Sequence, residues 1–201
     1  DDDMVITISH LGYIKRTPLA DFRQQGRGGV GAKASAARDE DFIEYVHQAN
    51  MHSTMMFFTE QGRLYWTKVY ELPEGNRQSK GRALQNMINI QKGDKVCAFI
   101  HVKNLSDMEY VQNHYLIFAT KNGLMKKTTL EAYSRPRANG IIALGLREDD
   151  RLIRVTLTDG NSQMLVASYN GKVVRFPEDT VRPMGRTATG VRAIKLDEDG
   201  Q

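Results

Sequence analysis

Residues 25–31, with the sequence Gln-Gly-Arg-Gly-Gly-Val-Gly, are the most distinctive chemistry-bearing segment of the chain. Glycines leave the backbone amides uncovered, so a phosphate can approach them closely, and Arg27 adds a positive charge. Gly26, Gly28 and Gly31 also match the G-x-G-x-x-G spacing of dinucleotide-binding loops. No strong apolar strand precedes them, however, and the surrounding pattern is not βαβ. We therefore predict a phosphate-contacting loop, with a disordered linker as the alternative.

We find no residue pattern in the sequence that is typical of a catalytic or metal site. The single cysteine, Cys97, excludes a disulfide framework, and Cys97 with His101 lacks a third zinc ligand. The five histidines form no pair at ligand spacing on a common helix, and a phosphate-binding G-x-x-x-x-G-K-[ST] motif is absent. Acidic residues near 39–41 and 148–150 could attract a cation, but we expect solvated turns. The expectation is a non-catalytic chain with no cofactor and no metal of its own.

Composition places the chain in the soluble globular class, with 40% hydrophobic and 26% charged residues among 201. An apolar stretch of the length that a transmembrane helix needs is absent from the sequence. The acidic start at residues 1–3 is unlike a signal peptide, and one cysteine fits a reducing compartment, so we expect a cytoplasmic protein without membrane contact. The net charge of +4 only hints at an anionic partner.

The elements that must position these residues follow a repeat that occurs four times. Each repeat has an apolar run, a turn that ends in glycine, and a second run rich in basic residues. The turn glycines, which are 50, 61 and 48 residues apart, are Gly12, Gly62, Gly123 and Gly171. A second glycine follows 17 or 19 residues later in each repeat, at Gly31, Gly81, Gly140 and Gly190. An acidic turn comes next, and in the first three repeats another apolar strand follows it.

Short strands rich in Val, Ile, Phe and Tyr at this spacing predict an all-β, propeller-like fold of four-stranded antiparallel blades, about four in this chain. Asn122-Gly123 and Asn170-Gly171 favour two-residue hairpin turns in which both central residues have positive φ. A plain β-sandwich is the alternative, but it does not require equal glycine offsets. We expect one domain over 1–201 with an incomplete last repeat. The approximate repeat boundaries are 1–52, 53–110, 111–160 and 161–201.

Basic residues recur in phase with the repeat. Segments 13–38, 61–85, 121–147 and 170–195 hold 23 of the 28 Lys and Arg but only 6 of the 24 Asp and Glu. In a propeller, equivalent positions of successive blades form a band, and a curved basic band suits the phosphates of bent duplex DNA. Protection of strand edges from aggregation is the alternative. The phosphate contacts that we predict are Arg16, Arg27, Lys33, Lys68, Lys80, Arg82, Lys126, Lys127, Arg135, Arg137, Lys172 and Arg175.

The glycine-rich loop resembles the signature box of the DNA gyrase A family, whose pattern is Gln, basic, Arg, Gly, Gly, basic, Gly. Gly26 and Val30 stand where the family has its two flanking basic residues. The matching residues are Gln25, Arg27, Gly28, Gly29 and Gly31. Further stretches similar to that family are 12–17, 38–41, 80–82 and 185–192.

This resemblance implies the C-terminal domain of gyrase A, which is a β-pinwheel in which a strand or hairpin is exchanged between neighbouring blades. It implies that the matching loop residues bind DNA, with Arg27 fastening the wrapped segment. Wrapping would let ATP-driven strand passage by this type IIA topoisomerase introduce negative supercoils. ATP and Mg²⁺ would act in other domains, and the partners would be double-stranded DNA, the rest of gyrase A and the second gyrase polypeptide, gyrase B.

Two alternatives to gyrase-type wrapping stay open from the sequence. The first is a topoisomerase IV-type C-terminal domain, a near relative that binds DNA without full wrapping. The departures at Gly26 and Val30 bear on this choice. The second is a propeller that binds an acidic protein, which salt-dependent DNA binding would distinguish.

Overall fold

The computed structural model describes residues 3–23, 41–76 and 78–193, most of which form β-strands. Within these ranges the helices are α1 (Leu19–Arg23) and α2 (Met108–Gln112), and neither has the length and apolar character needed to cross a bilayer. Contacts between Cα atoms divide the chain into two compact units. The first unit comprises residues 1–55, 67–89 and 101–103, and the second comprises residues 56–66, 90–100 and 104–201.

The first unit contains a four-stranded sheet whose neighbouring strands are all antiparallel. Its strands, in spatial order, are β3 (Ile43–Asn50), β1 (Asp3–Ser9), β2 (Tyr13–Pro18) and β6 (Arg82–Ala83). Strand β1 lies inside the sheet and buries every residue after the first, which accounts for its apolar sequence. Short 3-10 helices at Val69–Glu71 and Leu84–Asn86 belong to the same unit.

The second unit contains one complete four-stranded sheet, most of another, and a two-stranded hairpin. The complete sheet has the order β11 (Leu152–Thr158), β8 (Tyr115–Thr120), β9 (Leu124–Thr129) and β14 (Val191–Arg192). The other sheet has the order β10 (Ile141–Ile142), β5 (Arg63–Lys68), β4 (Thr54–Thr59) and β7 (Val96–Val102). The hairpin pairs β12 (Gln163–Ala167) with β13 (Val173–Pro177). Further 3-10 helices lie at Leu130–Tyr133 and Glu178–Thr180.

All three four-stranded sheets of the described residues share one plan. A hairpin occupies the centre, and the strand that follows the acidic turn pairs with the first hairpin strand. The two-residue strand on the other edge, β6, β10 or β14, comes from the following repeat. The expected all-β, propeller-like class is therefore confirmed, and the strand exchange that the resemblance implied is present. In the described part of the fourth repeat, which was expected to be incomplete, the sheet has two strands.

In the second, third and fourth repeats, the second glycine is required by the close approach of this exchanged strand. A Cβ atom at Gly81 would lie 2.3 Å from the main-chain oxygen of Ile14, and one at Gly190 would lie 2.4 Å from that of Met125. Both glycines also have positive φ, +81° and +103°, and Gly140 is enclosed in the same way. Because any side chain would collide with a backbone oxygen, the position admits only glycine.

Replacing Gly81 with alanine is expected to destabilise the protein by about 3 kcal/mol or more, since a left-handed φ and a backbone collision act together. Gly12 provides the matched control, because its φ is +85° but a Cβ there would meet no described atom within 4 Å. We expect Gly12→Ala to cost only about 1 kcal/mol, the strain of the left-handed conformation alone. Urea unfolding of both variants measures the difference, and equal losses would contradict the role assigned to the close approach.

The hairpin turns differ from the prediction. The turn glycines have φ between +82° and +85°, but Asn122 and Asn170 do not have positive φ; Asp149 is the one non-glycine residue with positive φ in the described ranges. The two-residue turn type was therefore wrong, and each turn is longer than predicted. In every turn a Ser or Thr three residues before the glycine accepts a hydrogen bond on its hydroxyl from the amide after the glycine. These pairs are Ser9–Tyr13, Thr59–Arg63, Thr120–Leu124 and Ser168–Lys172.

The acidic turns bind the hairpin turns through hydrogen bonds to the backbone. In three repeats an aspartate Oδ1 accepts from the amide of the residue just before the turn glycine, at 3.0–3.1 Å. The pairs are Asp41–Leu11, Asp94–Gln61 and Asp150–Asn122. These half-buried aspartates are thus structural, and Asp41 and Asp150 are not the fully solvated turn residues that we expected.

Candidate nucleic-acid interface

Three loops, which we call the connecting segments, lead from a 3-10 helix to an exchanged strand. They are residues 73–81, 134–140 and 181–190. The corresponding residues of the first repeat, 24–31, lie outside the described residues. The predicted DNA contacts that fall outside the described residues are Gln25, Arg27, Gly28, Gly29, Gly31 and Lys33.

Basic side chains are exposed in or next to every connecting segment. In the first unit these are Lys80 and Arg82, and the Lys80 ammonium lies 4.1 Å from the centre of the Tyr13 ring, a contact that helps to orient it. Arg135 and Arg137 are exposed in the second unit. The prediction of phosphate contact stays open for all four of them.

Arg182 and Arg192 are two exposed basic residues of the second unit that the sequence reasoning missed. Arg182 lies on connecting segment 181–190, and Arg192 lies on the exchanged strand that follows it. Alignment of the repeats could have identified them, because they lie in the part of the fourth repeat that corresponds to the part of the second repeat with Lys80 and Arg82.

The acidic turns and the connecting segments lie at opposite edges of the four-stranded sheets. The strand order places the acidic-turn strand at one edge and the exchanged strand, with its connecting segment, at the other. Segments 134–140 and 181–190 contain Arg but no Asp or Glu. In the second unit, the sheet edges that receive β10 and β14 therefore have connecting segments with positive charge and no carboxylate, whereas segment 73–81 of the first unit also contains Glu74.

Lys126 does not reach the surface, which corrects its assignment as a phosphate contact. Its side chain is 0% exposed, and its ammonium donates to the main-chain oxygen of Ala143 at 2.7 Å and to that of Arg186. Burial, with a further contribution from the charge of Arg186, lowers the pKa of Lys126 to about 7. Its burial and its contacts with main-chain oxygens are those of a structural lysine.

Lys127 is also buried, at 4% exposure, and is likewise removed from the predicted interface. Its Nζ lies 3.9 Å from a carboxylate oxygen of Glu178, which is 0% exposed, and 4.3 Å from the centre of the Tyr115 ring. Neighbouring residues of a strand point to opposite faces, and Lys126 and Lys127 are both buried, so both faces of β9 are covered at this point. The ammonium is committed to this internal ion pair.

Two further predicted contacts are engaged in hydrogen bonds within the first unit. Arg16 is half-buried; its Nε donates to the main-chain oxygen of Leu72 at 2.8 Å, and its guanidinium lies 3.4 Å from the Glu74 carboxylate. Lys68 donates to the main-chain oxygen of His52 at 3.3 Å. Some of the basic residues that recur in phase with the repeat therefore have a structural role within the protein.

The remaining two predicted contacts lie near the start and in the middle of the second strand of the fourth repeat. Lys172 is half-buried immediately before β13, and Arg175 is exposed on that strand. Both stay predictions.

The two side chains weighed for metal binding are both partly buried. Burial, with smaller contributions from nearby acidic residues, raises the pKa of Cys97 to about 12, so it is a thiol rather than a metal-binding thiolate at neutral pH. Burial, with contributions from His47 and Lys103, lowers the pKa of His101 to about 4. Among the residues that the structure describes, no group of three or more His, Cys, Asp or Glu could hold a metal ion.

Comparisons with known proteins identify a family over nearly the whole chain. The family model for "DNA gyrase C-terminal domain, beta-propeller" matches residues 3–50, 53–103, 114–159 and 163–201. DNA gyrase A of Haemophilus influenzae is 46% identical over 195 residues, 97% of this chain and 22% of that protein. DNA gyrase A of Staphylococcus aureus is 42% identical over 198 residues, 98% of this chain and 22% of that protein. The chain thus spans about a fifth of the length of these relatives.

Solved structures show the same fold. The crystal structure of the C-terminal domain of DNA topoisomerase IV superimposes with a TM-score of 0.80 at 28% identity, covering 99% of this chain and 59% of that one. The structure of a DNA gyrase A C-terminal domain superimposes with a TM-score of 0.71 at 22% identity, covering 99% and 62%.

Proposed function

Since the chain belongs to the family of DNA gyrase C-terminal domains, we propose that it is a DNA-binding and DNA-wrapping domain of a gyrase A protein. The observation that carries this proposal is the exposure of basic side chains in and beside the connecting segments, at the sheet edge opposite the acidic turns. Family membership alone would not say which residues bind DNA. The positions of these side chains support that assignment.

The proposed contacts are charge-assisted hydrogen bonds to phosphate oxygens, which position a duplex without reading its bases. Lys80 and Arg82 supply them in the first unit, and in the second unit the contributors are Arg135, Arg137, Arg182 and Arg192. Bending DNA over a short length costs several kcal/mol, and several phosphate contacts together offset that cost. The second, third and fourth repeats each contribute a group of such contacts.

In this proposal, the chemical steps are carried out by other parts of the gyrase complex. We assign strand cleavage, ATP hydrolysis and Mg²⁺ binding to the rest of gyrase A and to gyrase B. This chain acts by wrapping a DNA segment so that the crossing presented for strand passage has positive handedness. Passage then introduces negative supercoils.

A topoisomerase IV-type domain, which binds DNA without full wrapping, is the second candidate. It is supported by the 28% identity and TM-score of 0.80 to a topoisomerase IV C-terminal domain. The replacement of two box residues by Gly26 and Val30 also favours it. The 46% identity to a DNA gyrase A protein favours the first candidate.

Binding of the chain to a duplex of about 40 base pairs, measured over a range of salt concentrations, tests DNA binding. If the six exposed side chains named above contact phosphates, the slope of log K against log salt is about −5. A flat response would overturn DNA binding and favour an acidic protein partner. Ligation of nicked circles with the bound protein then separates the candidates: a positive shift in linking number indicates wrapping, and a steep salt slope without a shift indicates the topoisomerase IV-type domain.

A further inference from the structure

Lys15 and Lys126 occupy equivalent places in two repeats, three residues after the turn glycine. The Cβ of Lys15 lies 3.1 Å from the position of a Cβ added at Gly81, and the Cβ of Lys126 lies 3.2 Å from that of a Cβ added at Gly190. Each lysine stem therefore packs against the second glycine of the following repeat. The side chain then extends toward the connecting segment that precedes this glycine.

The Lys15 ammonium binds the backbone of connecting segment 73–81. It donates to the main-chain oxygens of Asn76 and Ser79, both at 2.8 Å. Burial lowers the pKa of Lys15 from its ordinary value. The two carbonyls flank the turn that leads to the exposed side chains of Lys80 and Arg82.

The Lys126 ammonium does the same in the second unit. One carbonyl that it binds belongs to Arg186, in connecting segment 181–190, and the other belongs to Ala143, which follows strand β10. The Tyr133 hydroxyl donates to the Ala143 oxygen at 2.7 Å and lies 3.3 Å from the ammonium. The buried Lys126 ammonium therefore links the third repeat to the fourth through connecting segment 181–190, which also contains Arg182.

We propose that Lys15 and Lys126 are positioning residues of the DNA interface, each holding the next repeat's connecting segment in the conformation that presents its basic side chains to phosphates. An ammonium has three donors and no acceptor, which suits it to gather several carbonyls. A segment held before binding does not lose that conformational freedom when DNA arrives. The DNA part of the proposal rests on the proposed function, whereas the backbone contacts exist without DNA.

Tyr65 occupies the equivalent place in the second repeat. Comparison with it shows which hydrogen bonds depend on a lysine at this position. Its ring packs over Gly140, but its buried hydroxyl has no hydrogen-bond partner among the described residues. Connecting segment 134–140 is held from neighbouring positions instead: Arg63 donates to the Asn139 oxygen at 3.0 Å. Holding the connecting segment through its carbonyls is thus common to these repeats, while the donor differs.

The test compares Lys15→Met, Lys15→Arg and Lys80→Met in the 201-residue chain. Hydrogen exchange of residues 73–81 is measured without DNA, and duplex affinity is measured at several salt concentrations. For Lys15→Met we expect faster exchange in this segment and roughly tenfold weaker binding with an unchanged salt slope, since the phosphate contacts persist at an added ordering cost. Lys15→Arg should retain most of the protection and affinity.

Lys80→Met should show the opposite pattern, with unchanged exchange and a salt slope reduced by about 0.9, the value of one phosphate contact. Unchanged exchange in Lys15→Met would overturn the positioning role, and so would faster exchange with unaltered DNA affinity. If the parent chain does not bind DNA, the proposed function fails, while the exchange result still decides whether Lys15 holds the segment.

The same comparison in the second unit uses Lys126→Met and exchange in residues 181–190. Lys121→Met is its control, because it makes the same substitution at an exposed lysine in the preceding hairpin turn, outside the connecting segment. Exchange that rises equally in both variants would overturn the role of Lys126.

Discussion

Replacing Glu178 with leucine while Lys127 is kept is expected to destabilise the protein by about 3–5 kcal/mol. Glu178 is 0% exposed, and its carboxylate oxygens accept no hydrogen bond from the described residues, so Lys127 at 3.9 Å is their compensating charge. Without the carboxylate, the ammonium of Lys127 stays buried and uncompensated. Urea unfolding followed by circular dichroism measures the free energy of unfolding.

The double variant Lys127→Met with Glu178→Leu provides the control for this prediction. It removes both charges and keeps similar volumes, so its stability should return to that of the parent or exceed it by about 1–4 kcal/mol. A coupling energy near zero in the double-mutant cycle would contradict the buried ion pair.

Replacing four arginines of the second unit with glutamine is expected to weaken DNA binding by about three orders of magnitude near 0.1 M salt, because each lost phosphate contact removes about 0.9 from the salt slope. The four are Arg135, Arg137, Arg182 and Arg192. All are exposed, and glutamine keeps a polar side chain, so the unfolding midpoint should not change. Fluorescence anisotropy of a labelled duplex at several salt concentrations gives both affinity and slope.

The matched control is a second variant that also loses four positive charges, but from the acidic-turn side of the second unit. Its four substitutions to glutamine are at exposed Lys121, Arg147, Arg151 and Arg154. We expect a much smaller loss of affinity, since these side chains lie in or beside the hairpin turn and the acidic turn or on strand β11. Equal losses in the two variants would show that net charge, rather than the connecting segments, determines binding.

The repeat could be read from glycine spacing because of one steric fact, whereas the strand exchange was expected only from the family resemblance. Gly81, Gly140 and Gly190 each contact a main-chain oxygen of the preceding repeat so closely that no side chain fits. Such a position tolerates one residue type only, which makes it visible in a sequence. The turn type was harder to predict, because the Asn-Gly pair suggested two residues at positive φ, whereas the Ser or Thr three residues before the glycine stabilises a longer turn.

Lys126 and Lys127 show why the positive charges could not all be placed from the sequence. Adjacent residues of a strand point to opposite faces, so Lys126 and Lys127 could not both contact the same duplex. This conflict could have been recognised from the sequence. The groups that surround their ammonium groups include residues far along the chain: Lys126 contacts Arg186, 60 residues away, and Lys127 contacts Glu178, 51 residues away. Local composition carries no information about a partner so distant. Likewise, nothing local distinguishes the aspartates that bind hairpin turns from solvated ones.

Strand exchange also determines how the chain can change in length. A deletion from one turn glycine to the next would remove one exchanged strand from the sheet before it, but the following repeat would deliver its own to the same edge. A deletion that stops partway would leave an edge uncovered, with unpaired amides and carbonyls available to other chains. Gain or loss of material in steps of roughly 50 residues, the spacing of the turn glycines, is therefore the tolerated form of length variation in this architecture.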